Sequence, residues 1–254
     1  MNILVSQLPS GGYGYNFPSI QISPMTFIQI AEYVENIPSD PLEKYLFEIK
    51  NLIKEDKSIM DCYIMDVDFL IFFKKLITVS ENLSFNVSVS CPYCGNKINT
   101  TISMENDIHF KRIERSVMEG SFIELGGHKY ETIVPTVRDF LKVFEKYLRY
   151  RKIEDLNMIK TIALIKEFDL QGNQVEDDVI NAKHGDITLL LALRDLYYDR
   201  LEKITVFCDK CENENPEERR SIAVSVEPLI VDFFREICIN NPIDGSKILF
   251  KQVR

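Results

Sequence analysis

Two Cys-x-x-Cys elements, each set between runs of strand-like alternation, constrain the fold of this chain more than any other feature. The first lies in LSFNVSVSCPYCGNKINTTISM, where Phe85, Val87 and Val89 alternate with Asn86, Ser88 and Ser90 ahead of Cys91 and Cys94. Ile98, the threonine pair and Ile102 then read as a returning strand. The second lies in KITVFCDKCENENPEERRSIAVSV. Ile204 and Val206 lead into Cys208 and Cys211, a polar loop follows, and Ile222, Val224 and Val226 alternate on the way out. Each unit predicts a β-hairpin carrying a pair of thiols at its tip.

Cys91-Pro92-Tyr93-Cys94 has two chemical readings. As a redox element it is the Cys-Pro-Tyr-Cys of glutaredoxin-like thiol chemistry, with Cys91 as nucleophile and Val134-Pro135 as the companion element. Such a thiol needs a helix N-terminus to lower its pKa. The residues after Cys94 are Gly-Asn-Lys-Ile-Asn-Thr-Thr, which favour turn and strand, and no βαβ pattern surrounds them. As a metal element it is one knuckle of a zinc site. Zinc takes four soft ligands in a tetrahedron, and a Cys-x-x-Cys turn supplies two. Cys91, Cys94, Cys208 and Cys211 would complete the shell, with no open position for water or substrate, so one zinc per chain would be structural.

The 113 residues between Cys94 and Cys208 exceed the spacing of a compact zinc ribbon. Loop-closure entropy grows only logarithmically with length, and a folded insertion can hold its own ends together. Half-sites completed by another chain are the rival arrangement. A shared metal would supply on the order of 10 kcal/mol to folding.

The chain has 254 residues, 45% hydrophobic and 27% charged, as in an ordinary globular protein. Its longest apolar run, Phe69 to Phe73, is cut by Lys74 and Lys75, so no membrane span is expected. The start lacks the basic and apolar regions of an export signal, which predicts a reducing compartment where paired thiols favour metal over disulfide. A net charge of −9 argues against non-specific nucleic-acid binding. The basic stretch KYLRYRK at 146–152 reads as a helix end, although its interleaved tyrosines suit a nucleic-acid contact. Lone Cys62 and Cys238 sit in apolar surroundings, as small core residues do. His109, His128 and His184 are scattered and read as surface or turn residues. No G-x-S-x-G, P-loop or H-E-x-x-H motif occurs, and nothing points to a small-molecule substrate or an enzyme.

The pattern predicts an α+β fold, mainly helical, in which the two hairpins form a zinc-ribbon-like module. Residues 1–82 read as an N-terminal arm and helical region, and 83–105 as the first knuckle hairpin. Residues 106–202 read as an inserted, mostly helical subdomain, 203–227 as the second knuckle hairpin, and 228–254 as a C-terminal helix and tail. In the first region the glycines and prolines of LPSGGYGYNFPSIQISPMTF preclude a regular helix before Pro24, while Ile20 and Ile22 alternate as in a short strand. That opening suits either an arm that docks on a neighbour or an ordered strand covering its own domain.

Three helices follow. One places Phe27, Ile30, Ala31 and Val34 on a face. The next has Asp40 as N-cap, Pro41 at its first position, and a stripe of Leu42, Tyr45, Leu46, Ile49, Leu52 and Ile53. The third, MDVDFLIFFKKLITVSE, is apolar on most sides, as a buried central helix is. The inserted region predicts a small β element around a Gly126-Gly127 turn and a helix starting near Thr136. LNMIKTIALIKEF, VEDDVINAKHG and DITLLLALRDLYYDRL predict three more helices, the last capped by Asp186.

Three stretches together resemble the baseplate hub proteins of T4-like contractile-tailed bacteriophages. LPSGGYGY…IQISPMTFIQI at 8–30 is similar to their opening, VSCPYCGNKINTTI to the zinc-ribbon hairpin of many members, and IVPTVRDF at 133–140 to the turn into their central helix. The resemblance implies a non-enzymatic structural or assembly protein, made in the host cytoplasm and retained in the tail baseplate if it stays in the virion. Its partners would be other baseplate and tail proteins, in homo- or hetero-oligomers. A zinc-ribbon regulator that binds nucleic acid and, further off, a Cys-x-x-Cys oxidoreductase are the alternatives.

Overall fold

The computed structural model describes residues 1–79, 84–103, 107, 112–150, 156–166, 174, 175, 177–182, 184–198, 204–208, 210 and 221–224. Helices and small antiparallel hairpins make up this α+β structure. The helices are α1 (Phe27–Asn36), α2 (Pro41–Glu55), α3 (Ile64–Val79), α4 (Val137–Tyr150), α5 (Leu156–Ile162) and α6 (His184–Tyr198). The strands pair as β1 (Asn2–Leu4) with β2 (Ser19–Gln21), β3 (Ser84–Ser90) with β4 (Lys97–Ser103), β5 (Phe122–Leu125) with β6 (His128–Glu131), and β7 (Ile204–Phe207) with β8 (Ser221–Val224). No helix among the described residues is long and apolar enough to cross a membrane.

The chain divides into two compact units. One takes Met1–Ser23, Pro38–Ile71 and Phe110–Glu202; the other takes Pro24–Ile37, Phe72–His109 and Lys203–Arg254. Both cysteine hairpins fall in the second.

In the first unit, α2 starts as its sequence dictates. The Asp40 carboxylate accepts from the Leu42 and Glu43 amides, and Pro41 occupies the first turn, where its missing N–H leaves nothing unsatisfied. Leu42, Tyr45, Leu46, Ile49 and Leu52 of the predicted stripe are buried, while Ile53 is half-buried. Thr136 and Asp139 cap α4 reciprocally: Thr136 N–H donates to the Asp139 carboxylate at 3.1 Å, and Asp139 N–H donates to Thr136 Oγ1 at 3.3 Å. Helix α4 packs on α5 and on the 3-10 turn Lys57–Asp61, and α6 packs on α5 and β5. The Lys160 ammonium lies between two tyrosine faces, 4.6 Å from the Tyr45 ring and 4.5 Å from the Tyr198 ring, so one cation links α2, α5 and α6.

Helix α3 is the most apolar of the described helices. From Ile64 to Leu76 every residue except Asp68 is buried. Asp66 is among them, fully buried. It accepts from Ser10 N–H at 2.8 Å and from the Tyr15 hydroxyl, which itself accepts from Tyr63 N–H at 2.7 Å. Tyr15 stacks between Phe17 and Tyr63. The glycine-rich opening is thus wound around a carboxylate of its own unit, with Leu8, Ile20 and Ile22 fully buried. Of the two readings of this segment, the structure has the ordered one. Gly14, at φ +81°, is required there, because a Cβ would lie 2.9 Å from the Tyr63 hydroxyl.

Three helix expectations are corrected. In α1 the buried residues are Ile30, Ala31 and Tyr33, while Phe27 is 40% exposed. Phe27 opens the helix beside its Thr26 cap and falls outside the buried arc. Helix α5 ends at Ile162, before the apolar pattern does, because the next residues pair instead with the β6 end: Ile133 N–H donates to Leu164 O and Lys166 N–H to Glu131 O. Helix α6 begins at His184, so Asp186 is its third residue and not its cap. Val226, His109, Cys238 and the expected C-terminal helix lie outside the described residues.

Burial disfavours ionisation of Asp66 more than its two donors favour it, so its pKa is raised above the ordinary carboxylate range. Stability from a group raised in this way is complete below the unfolded-state pKa and is lost as pH rises through the folded value. Asp66→Asn is expected to flatten the decline of unfolding free energy as pH rises above the ordinary carboxylate range, measured by denaturant melts. Asp66→Ala, which strands the Ser10 amide and the Tyr15 hydroxyl, is expected to lower stability by about 3 kcal/mol at neutral pH. Wild-type slopes in the Asn variant would remove Asp66 as a titrating element.

Candidate metal centre

Strands β3 and β4 pair over their full length, from Ser84 opposite Ser103 to Ser90 opposite Lys97. The alternation of apolar and hydroxyl residues sets this register, since a shift by one would turn every side chain to the other face. The pairing delivers Cys91 immediately beyond β3. A tight knuckle follows: Cys91 N–H donates to Asn96 O at 2.8 Å, and Gly95 N–H donates to Cys91 O at 2.9 Å. Strands β7 and β8 pair from Ile204 opposite Val224 to Phe207 opposite Ser221, which places Cys208 directly after β7.

The sulfur atoms of Cys91, Cys94 and Cys208 all lie within 4.8 Å of one another. Cys94 Sγ and Cys208 Sγ are 3.6 Å apart. A disulfide requires about 2.05 Å, so these are free thiols. Four sulfurs at about 2.3 Å from a tetrahedral zinc would be about 3.8 Å from one another, and the observed separation matches that edge. Cys91 and Cys208 are 2% and 3% exposed, whereas Cys94 is exposed. The donor set of soft thiols and the 3.6 Å separation of Cys94 and Cys208 fit a thiolate-preferring divalent metal. Of the four sequence-predicted ligands, three converge from segments more than 110 residues apart, and Cys211 lies outside the described residues.

No helix starts after Cys94. Gly95 takes φ +70° and β4 begins at Lys97, so the amides and dipole that activate a redox thiol are missing there. Pro135 leads into α4, and its carbonyl accepts from Ile64 N–H at 2.9 Å. Cys62 is fully buried, and its thiol is pushed well above its usual pKa by burial first and by Asp66 second, which suits an inert core residue.

A second polar cluster escaped the sequence reading. Asp178 accepts from the Tyr130 hydroxyl at 2.6 Å and from Gln174 Nε2 at 3.0 Å, and His128 Nδ1 lies 2.8 Å from it. A Cβ on Gly126 would lie 2.4 Å from Asp178 Oδ1, so the glycine turn is what lets the hairpin close on this carboxylate. His128, read from sequence as a surface or turn residue, has a carboxylate partner 50 positions away. Only tertiary structure brings the two together.

Metal titration tests the centre. Cobalt added to the reduced protein is expected to give thiolate-to-metal charge-transfer absorption with one ion per chain. Cys208→Ser should weaken binding by at least tenfold and Cys62→Ser should not, since Cys62 is outside the cluster. Binding should also weaken in acid, where protons compete for the thiolates. Equal affinity in the Cys208 variant would separate the two hairpins chemically.

Comparison of the chain with family models, curated proteins and solved structures gives no match.

Proposed function

We propose that this chain is a structural or assembly protein of a contractile-tailed bacteriophage baseplate, at or near the hub, and that it catalyses no reaction. Cys91, Cys94, Cys208 and Cys211 would hold one zinc per chain, and the two hairpins would form a zinc-ribbon-like module. The observation that carries the metal reading is the convergence of three thiols from two hairpins. With four protein thiolates the shell is closed, so the ion serves folding and not turnover.

The baseplate assignment rests on the three stretches that resemble hub proteins, and the parts they play in this fold support it. Leu8 to Gly14 winds around Asp66, the cysteine knuckle contributes two thiols, and Thr136 bridges Tyr63 at the start of α4. All are structural roles. The net charge of −9 and the acidic run after Cys211 disfavour the nucleic-acid alternative.

Two measurements test the parts of this reading separately. Elemental analysis of protein purified without chelator is expected to give one zinc per chain; a metal-free folded protein would end the zinc assignment. Deletion of the gene from the phage that encodes it is expected to leave tail tubes and sheaths without complete baseplates in electron micrographs. Normal infectious particles would end the baseplate assignment, whatever the metal content.

A further inference from the structure

The three converging thiols are not equivalent. Cys91 is 2% exposed, and the knuckle holds it at both backbone groups: its N–H donates to Asn96 O at 2.8 Å and its carbonyl accepts from Gly95 N–H at 2.9 Å. Cys208, 3% exposed, follows β7 on the other hairpin. Cys94 is exposed, in a turn whose Pro92, Tyr93 and Gly95 are exposed as well. Its Sγ lies 3.6 Å from Cys208 Sγ. An oxidant arriving from water therefore meets Cys94 first, with a buried thiol of the other hairpin within reach of it. Susceptibility of a cysteine to oxidation follows thiolate character and exposure, and a sensor thiol is typically poised next to a resolving one. Cys62 has neither thiolate character nor exposure: it is fully buried, and burial pushes its thiol pKa up.

We propose that this centre is a peroxide-responsive clasp, with Cys94 the thiol oxidised first and Cys208 the thiol that resolves it. The Cys94 thiolate sulfur attacks one oxygen of hydrogen peroxide; an S–O bond forms, the O–O bond breaks and hydroxide leaves, which gives a sulfenic acid at Cys94. The Cys208 thiolate then attacks that sulfur; the S–S bond forms, the S–O bond breaks and a second hydroxide leaves. The two sulfurs together lose two electrons, the peroxide gains them, and two protons turn the hydroxides into water. Both cysteines lie beyond the ends of their strands, so closing 3.6 Å to about 2.05 Å takes a shift of about 1.5 Å with neither ladder broken. Two thiolates consumed in this way no longer ligate an ion, so metal is released. That release rests on the zinc reading, whereas the pairing of the thiols rests on their spacing alone. The hairpins stay joined throughout, by a metal in reducing surroundings and by a covalent bond in oxidising ones. A thiol reductant would restore the first state.

Disulfide mapping tests the proposal. The full chain, loaded with zinc, is treated with hydrogen peroxide, alkylated and digested; linked peptides are identified by mass spectrometry while a chromogenic chelator follows released zinc. A Cys94–Cys208 link is expected as the main product, formed in step with zinc release and reversed by dithiothreitol. Cys208→Ser should leave Cys94 as a sulfenic acid that dimedone labels, and Cys94→Ser should slow oxidation of the remaining centre at least about tenfold. Cys62→Ser should change neither result. A main link between Cys91 and Cys94, or from Cys94 to Cys211, would overturn the proposal, as would zinc release with no disulfide in the wild-type chain. Protein that purifies without zinc and still forms the Cys94–Cys208 link would support the thiol pairing and end only the zinc reading. Protein that holds zinc and forms no link would do the reverse.

Discussion

A single buried carboxylate, that of Asp66, sets the conditions for much of the first unit. A carboxyl group on the most apolar of the described helices is tolerable only with hydrogen-bond partners close at hand. Those donors are the Ser10 amide and the Tyr15 hydroxyl, both from an opening segment too rich in glycine to fold by itself. Meeting the need of the carboxylate therefore gives the opening its shape. Tyr15 in turn holds the Tyr63 amide, and Tyr63 bridges Thr136, so the same chain of contacts reaches the start of α4. Cys62 sits within this network, and its thiol is silenced by the burial and negative charge around it.

The second unit is organised around thiols. Two-stranded hairpins are marginal by themselves, since each buries little apolar surface. A metal held between their tips would supply what packing does not, and the sulfur spacing fits an ion between them and not a disulfide. With a metal bound, the thiols would do for the second unit what the carboxylate does for the first: fix segments that are remote in sequence.

Both hairpins, their alternation and three of the converging cysteines were legible in the sequence because strand period and Cys-x-x-Cys spacing are local signals. The same holds for the Asp40 cap, the Pro41 start and the buried character of α3. What escaped was long-range. Asp66 and Asp68 stood in plain view within an apolar run, and a charge in such a run is the signal that a partner must be sought. Nothing local names Tyr15 or Ser10 as that partner. His128 and Asp178 illustrate the same limit, as does α5, where pairing of Leu164 and Lys166 with the β6 end overrides a helical pattern.

The separation of the cysteine pairs has a temporal side. A ribosome adding about 5 to 20 residues per second needs roughly 6 to 23 s to pass from Cys94 to Cys208. Through that interval the first knuckle exists with two thiols and no counterpart. Two thiolates bind an ion far more weakly than four, and any neighbouring chain at the same stage offers the missing pair. If the two pairs share one ion, the long insertion would expose each newborn molecule to a choice between closing on itself and closing on a sibling, and early folding of the intervening helices would tilt that choice toward closure within one chain.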